Sequence, residues 1–174
     1  LMIKKAYADT SGGQCHYRYQ SGPSDPVVFL HQTPSSSQMF EAIMQRLHEH
    51  STYAIDTPGF GQSFNPKHVP TMAEYSGWLV EAMHSISINR VHLFGHHTGS
   101  SMAIQIANDH PDLITSLTMI GPFIATSEEK EEMRKTISSD WGPVEDGSHL
   151  MKAWNLVGNS LGAKGNIELH HREV

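Results

Sequence analysis

A single histidine stands between two glycines where an apolar run gives way to a helical pattern. The apolar residues 91–94 are followed by Gly95, His97 and Gly99, in the order Gly-x-His-x-Gly. Glycines at these positions permit a tight strand-to-helix turn, because a Cβ at either one would clash with nearby backbone. The pattern predicts that the turn presents the side chain of His97 at the start of a helix.

An imidazole presented in this way has three roles that the sequence leaves open. It could attack a carbonyl carbon directly and form an acyl-imidazole. It could act as a general base, since the unperturbed pKa of histidine, about 6.5, suits that task. Alternatively, the turn could belong to a scaffold that has lost catalysis and keeps only a binding pocket. The adjacent His96 is expected to point partly into the pocket wall.

Short apolar runs alternating with helical patterns surround this turn. Strands are predicted at residues 3–8, 16–20, 27–30, 53–55, 91–94 and 117–120, with the first two joined as a hairpin. Helices are predicted after Ser35–Ser37, after a capping box of Thr71 and Glu74, and over residues 100–108. The alternation predicts an α/β fold with a mostly parallel sheet, helices on both faces, over residues 1–122. Residues 123–174 are predicted to form a helical cap.

Composition excludes several classes of function. The 174 residues carry a net charge of −6 without a cluster of Lys or Arg, which argues against nucleic acid or a membrane as the partner. No apolar run approaches a membrane span, and the single cysteine, Cys15, fits a reducing compartment such as the cytoplasm. No phosphate-binding or dinucleotide-binding glycine motif is present, so no cofactor is expected. No Cys/His metal-ligand spacing is present either, so no metal site is expected.

Four blocks of sequence together resemble the α/β-hydrolase superfamily. They are residues 31–34 (His-Gln-Thr-Pro) after a buried strand, residues 56–63 (Asp-Thr-Pro-Gly-Phe-Gly-Gln-Ser), the Gly95–Gly99 turn, and residues 110–120. The turn is similar to the nucleophile elbow of that superfamily, whose central residue is normally Ser, Cys or Asp. The resemblance includes subgroups with histidine at this position, often within Gly-x-His-Thr-Gly.

The resemblance implies an oxyanion hole and a pocket. By position, the main-chain N–H groups of Thr33 and Thr98 would stabilise a negatively charged oxygen. His31 and Gln32 become pocket candidates. In the cap, Trp141, Met151 and Trp154 could line an apolar pocket or form the cap's own small core.

Asp56 lies in the glycine-rich second block. It could line the rim of the cleft, but we expect it to tie this loop by hydrogen bonds.

The remaining members of a catalytic triad would follow later strands, and no such strand pattern occurs after residue 120. We therefore expect the chain to be a fragment with an exposed sheet edge that favours self-association. The expected function is hydrolysis of a small ester, lactone or related carbonyl compound. A lyase or carbon–carbon hydrolase using the same pocket, and a binding protein without turnover, are the alternatives.

Overall fold

Six strands form one sheet in the first of two compact units, Leu1–Phe123. The computed structural model describes residues 2–137, 142–160 and 166–173. The order across the sheet is β1-β2-β4-β3-β5-β6. The strands are β1 (Lys4–Asp9), β2 (Gln14–Gln20), β3 (Ser24–Leu30), β4 (His50–Ile55), β5 (Val91–His96) and β6 (Ile114–Ile120).

Strand direction brings the loops that follow β3, β5 and β6 to one edge of the sheet. β1 and β2 form the predicted antiparallel hairpin, and β2 also pairs antiparallel with β4. The pairs β4–β3, β3–β5 and β5–β6 are parallel, as the alternating pattern predicted. Leu30 pairs with Gly95, and His96 pairs with Ile120. The carboxyl ends of β3, β5 and β6 therefore lie next to one another, and the loops that follow them are neighbours.

Both faces of the sheet are buried, which explains the continuous apolar runs in its central strands. Phe29 packs on one face with Phe40, Met44 and Ala54. Its neighbour Leu30 points to the opposite face, where α2 and α3 supply the larger cluster. That cluster includes Val28, Leu79, Met83, Leu93, Met102, Ala103 and Ile106.

Three helices accompany the sheet in this unit. The capping box predicted at Thr71 and Glu74 is present, with each residue bonding the other's main-chain N–H. Bonds of this kind satisfy N–H groups that the first turn of a helix leaves without partners. The helices are α1 (Glu41–Arg46), α2 (Met72–Ser85) and α3 (Thr98–Asp109).

The sequence misplaced several boundaries. The strand predicted at residues 27–30 is longer, because β3 already begins at Ser24. The helix after Ser35–Ser37 begins as a 3-10 turn, Ser37–Phe40, before α1. α3 starts at Thr98, two residues earlier than predicted.

The second unit, Ile124–Val174, contains three helices in its described residues. Within it, the rings of Trp154 and His170 stack with their centroids 3.9 Å apart, and His170 Nε2 lies 2.6 Å from the carbonyl oxygen of Trp154. Trp154 thus packs inside this unit. Trp141 lies outside the described residues. The helices are α4 (Ser127–Ile137), α5 (Ser148–Ser160) and α6 (Ile167–Glu173).

β6 is the last strand of the described sheet. It pairs with β5 on one side, and Met119 and Ile120 are 40% and 50% exposed. An edge strand with apolar side chains offers main-chain groups to another strand. Self-association through this edge stays a prediction. No helix in the described ranges has the length and apolar character needed to cross a membrane.

Candidate active site

The turn between β5 and α3 holds His97 in an unusual backbone conformation. Its φ is +54° and its ψ is −112°, whereas side-chain-bearing residues rarely adopt a positive φ. The main-chain N–H of His97 donates to the carbonyl oxygen of Ile120, over 2.8 Å. The ring lies near Gly121, where a Cβ would come within 3.8 Å of His97 Cδ2. His97 is an exposed residue, so its imidazole is available to a ligand.

The two glycines of the motif allow this close approach of strand and helix. A Cβ on Gly95 would lie 2.6 Å from the carbonyl oxygen of Gly99. A Cβ on Gly99 would overlap the carbonyl oxygen of Leu30 in β3. Both contacts involve backbone, which cannot move aside as a flexible side chain can. The Gly-x-His-x-Gly spacing is therefore a packing requirement of the turn.

Ser100 fixes the turn from inside. Its side chain is fully buried, and its Oγ lies 2.8 Å from the carbonyl oxygen of Gly95 and 3.1 Å from that of Ile120. The hydroxyl therefore connects the ends of β5 and β6 to the first turn of α3. Ser100 was not predicted to take part, because a serine in a helical pattern carries no signal of its buried partners.

Thr33 and Thr98 lie next to each other across the turn. The hydroxyl oxygens of the two residues are 3.1 Å apart, within hydrogen-bond distance. Thr98 is the first residue of α3, so its main-chain N–H has no acceptor within the helix. The positive end of the helix dipole is at the same place. The two predicted oxyanion-hole residues are thus side by side, and Thr98 directly follows His97 in the chain.

His31 supports the loop that carries Thr33. It is fully buried, with Nδ1 2.7 Å from the carbonyl oxygen of Gln32, and its Nε2 accepts the N–H of Thr57 over 2.9 Å. A ring that donates through Nδ1 and accepts through Nε2 is neutral. His31 was predicted as a pocket residue. Its burial and partners are those of a support for the loop, and a direct role in ligand contact stays a prediction.

Asp56 supports the other end of the same loop. Its carboxylate accepts the main-chain N–H groups of Ser37 and Gln62 over 2.6 and 2.9 Å, and it lies 2.8 Å from Nδ1 of His16. Burial alone would raise the pKa of this carboxyl, but the hydrogen bonds from Ser37, Gln62 and His16 lower it below its ordinary value. Asp56 thus ties the glycine-rich loop to β2 and to the segment after Thr33. His16 and Ser37 were not predicted to take part.

Contacts among the described residues do not assign the remaining predicted pocket residues to a site around His97. Gln32 and His96 are half-buried, and the rings of His96 and His97 meet edge-on with centroids 6.5 Å apart. Met151 is exposed and lies, like Trp154, in the second unit. Their roles as pocket residues stay predictions. Burial raises the pKa of the Cys15 thiol to about 12, so this residue remains protonated and unreactive at neutral pH.

Comparison with known proteins identifies this arrangement. The model of the alpha/beta hydrolase fold family matches residues 25–142, which include the Thr33 loop, the Asp56 loop and the turn at His97. The chain belongs to the α/β-hydrolase fold family. In this family a turn between a strand and a helix forms the nucleophile elbow, and the assignment of the turn at His97 as that elbow stays a prediction.

Several hydrolases are similar to this chain in sequence. It is 27% identical to a haloalkane dehalogenase of Agrobacterium fabrum over 69% of this chain and 40% of the relative. It is 24% identical to (E)-2-((N-methylformamido)methylene)succinate hydrolase of Acinetobacter baylyi, over 75% of this chain and 50% of the relative. The chain thus spans at most half the length of these curated relatives.

A solved structure has the same fold. The N-acyl homoserine lactonase AidH E219G mutant, complexed with N-hexanoyl homoserine, superposes with a TM-score of 0.68 at 23% identity. The match covers 74% of this chain and 48% of the lactonase.

Proposed function

We propose that this α/β-hydrolase-fold chain acts in the hydrolysis of a small ester, lactone or related carbonyl compound, with His97 as the general base. The observation that carries the proposal is the position of His97. Its exposed imidazole occupies the elbow, beside the Thr33 loop and one residue before Thr98, whose main-chain N–H has no acceptor within α3. A base next to donors for a developing negative charge is the arrangement that carbonyl hydrolysis requires.

The reaction then uses one water molecule. The water oxygen attacks the carbonyl carbon while the imidazole of His97 takes the water proton. The carbonyl oxygen becomes an oxyanion that accepts hydrogen bonds from the N–H groups of Thr33 and Thr98. When the tetrahedral intermediate collapses, the carbon–oxygen bond to the leaving group breaks. The leaving alkoxide receives the proton from His97, which returns to its neutral form.

The relatives support a hydrolase rather than one particular substrate. They include a haloalkane dehalogenase and an (E)-2-((N-methylformamido)methylene)succinate hydrolase, so relatives of this chain act on different classes of substrate. The choice of a carbonyl substrate rests instead on the main-chain donors, which do not depend on the side chain at position 97. Because His97 provides no hydroxyl or carboxylate, attack on a saturated carbon is the less favoured reaction.

The test compares His97→Ala with wild type and with His110→Ala. His110 is an exposed histidine at the opposite end of the same helix, so its substitution controls for the loss of an imidazole. We expect His97→Ala to lower kcat/KM on a panel of aryl esters and lactones by about 10²–10⁴-fold. His110→Ala is expected to keep the wild-type rate.

Two results would change the assignment. A burst of product followed by an acylated His97, detected by mass spectrometry, would make His97 the nucleophile rather than the base. If the wild-type chain binds esters or lactones but turns none of them over, the hydrolytic function is wrong. The binding-protein alternative would then hold.

A further inference from the structure

The hydroxyl groups of Thr33 and Thr98 form a pair whose chemistry goes beyond the two main-chain N–H groups. Their oxygens are 3.1 Å apart, so one hydroxyl donates a hydrogen bond to the other. A hydroxyl carries one proton to donate. Two hydroxyls joined by one hydrogen bond use one of their two protons, and the second remains available whichever residue is the donor.

The pair lies beside the elbow. Thr98 follows His97 directly and begins α3, while Thr33 is exposed in the loop after β3. The loop is supported at both ends, by His31 bonding Thr57 and by Ser37 bonding Asp56. The pair is therefore held next to the main-chain N–H of Thr98, one of the two groups predicted to bind the oxyanion. It is not a feature of a freely moving surface loop.

We propose that the Thr33–Thr98 hydroxyl pair donates a third hydrogen bond to the oxyanion, in addition to the two from the main chain. This inference rests on the proposed carbonyl hydrolysis. A third donor is of particular use next to His97, because an imidazole base has no covalent link to hold the substrate carbonyl in place. The two threonines are then catalytic residues through their side chains as well as their backbone.

The pair gives a distinctive pattern for single and double substitutions. Valine has the shape of threonine without the hydroxyl, so Thr33→Val and Thr98→Val leave the main-chain N–H groups in place. In either single variant the remaining hydroxyl loses its partner but keeps its proton, and it can still donate. In the double variant no hydroxyl is left. We expect each single variant to keep kcat within about 5-fold of wild type, and the double variant to lose about 10²-fold.

Two readouts separate donation to an oxyanion from other effects. The first is the division between kcat and KM, since a bond made only in the transition state changes kcat and leaves KM nearly unchanged. The second is binding of a phosphonate monoester, a stable tetrahedral anion, measured by calorimetry on the full chain. The double variant is expected to bind the phosphonate at least about 10-fold more weakly. Thr33→Ser and Thr98→Ser should restore wild-type values, and Thr115→Val, on exposed β6, should have no effect.

Several outcomes would overturn the inference. If each single variant loses as much as the double variant, the bridge serves only to space the two loops. If the double variant stays within 2-fold of wild type, the hydroxyls donate nothing to the reaction. Should wild type lack turnover, the proposed hydrolysis fails, and phosphonate binding then decides the inference by itself. Absence of both turnover and phosphonate binding would overturn the two together.

Discussion

Replacing His97 by glycine is expected to stabilise the fold while removing the base. The residue has a φ of +54° and a ψ of −112°, a combination that the Cβ of any L-residue disfavours. Glycine lacks the Cβ and accepts this conformation without strain. Because the elbow needs this backbone geometry to present the imidazole, the strain is a direct consequence of the proposed function.

Two opposing contributions set the change in the free energy of unfolding that His97→Gly causes. Strained non-glycine backbone costs about 1–3 kcal/mol, which His97→Gly recovers. Glycine also increases the conformational entropy of the unfolded chain, and this offsets about 0.4–1 kcal/mol of that gain in stability. The exposed imidazole makes an edge contact with His96 at 6.5 Å between centroids, so its loss removes little packing. We expect the free energy of unfolding to rise by about 1 kcal/mol, or about 3 °C in Tm.

Urea and thermal denaturation of four variants test this reasoning. His97→Ala keeps the Cβ and hence the strain, so its stability should stay within about 0.5 kcal/mol of wild type. Ser87, with a φ of +64°, is a second strained position away from the elbow. Ser87→Gly should therefore also stabilise, whereas Ser87→Ala should not. A His97→Gly protein no more stable than His97→Ala would show that the elbow is unstrained and would refute the argument.

Two further predictions concern the framework around the elbow. Gly99→Ala places a Cβ on the carbonyl oxygen of Leu30 and should lower the free energy of unfolding by about 3 kcal/mol. Gly77→Ala, in the open interior of α2, should raise the free energy of unfolding by about 0.8 kcal/mol. Urea denaturation midpoints of the two variants measure both changes. The lowered pKa of folded Asp56 contributes stability above the ordinary pKa of 3.8, and this contribution is lost as the pH falls through the lowered value. Asp56→Asn should be less stable at neutral pH and should show a smaller loss between pH 5 and pH 2, about the range of carboxyl titration; an equal loss in both proteins would assign acid sensitivity to other groups.

The apolar central strands could be predicted from the sequence, while the amino ends of most strands could not. Apolar runs such as residues 27–30 mark positions that are buried on both faces of the sheet. Ser24 and His50 begin their strands through main-chain hydrogen bonds, which polar residues make equally well. A pattern of side-chain hydropathy contains no information about those bonds. Four of the six predicted strands, corresponding to β2, β3, β4 and β6, are consequently too short at their amino ends.

The elbow was predictable because its geometry demands particular residue types. Backbone within 2.6 Å of a potential Cβ excludes everything but glycine at position 95, and this requirement is visible in the sequence. The support from His31 was not predictable. Its burial depends on Thr57 approaching from another loop, and neither residue carries a local signal of that contact.

The hydrogen bonds at the two ends of the Thr33 loop have a consequence for how this region moves. The amide protons of Ser37 and Thr57 are buried and are bonded to Asp56 and His31, which belong to the ends of β4 and β3. Local opening that exposes these amides would have to break buried charged and imidazole hydrogen bonds. Their exchange with solvent deuterium would therefore require cooperative unfolding of the sheet. Many ligand-binding loops open separately from their scaffold, but this loop would open only when the whole sheet unfolds.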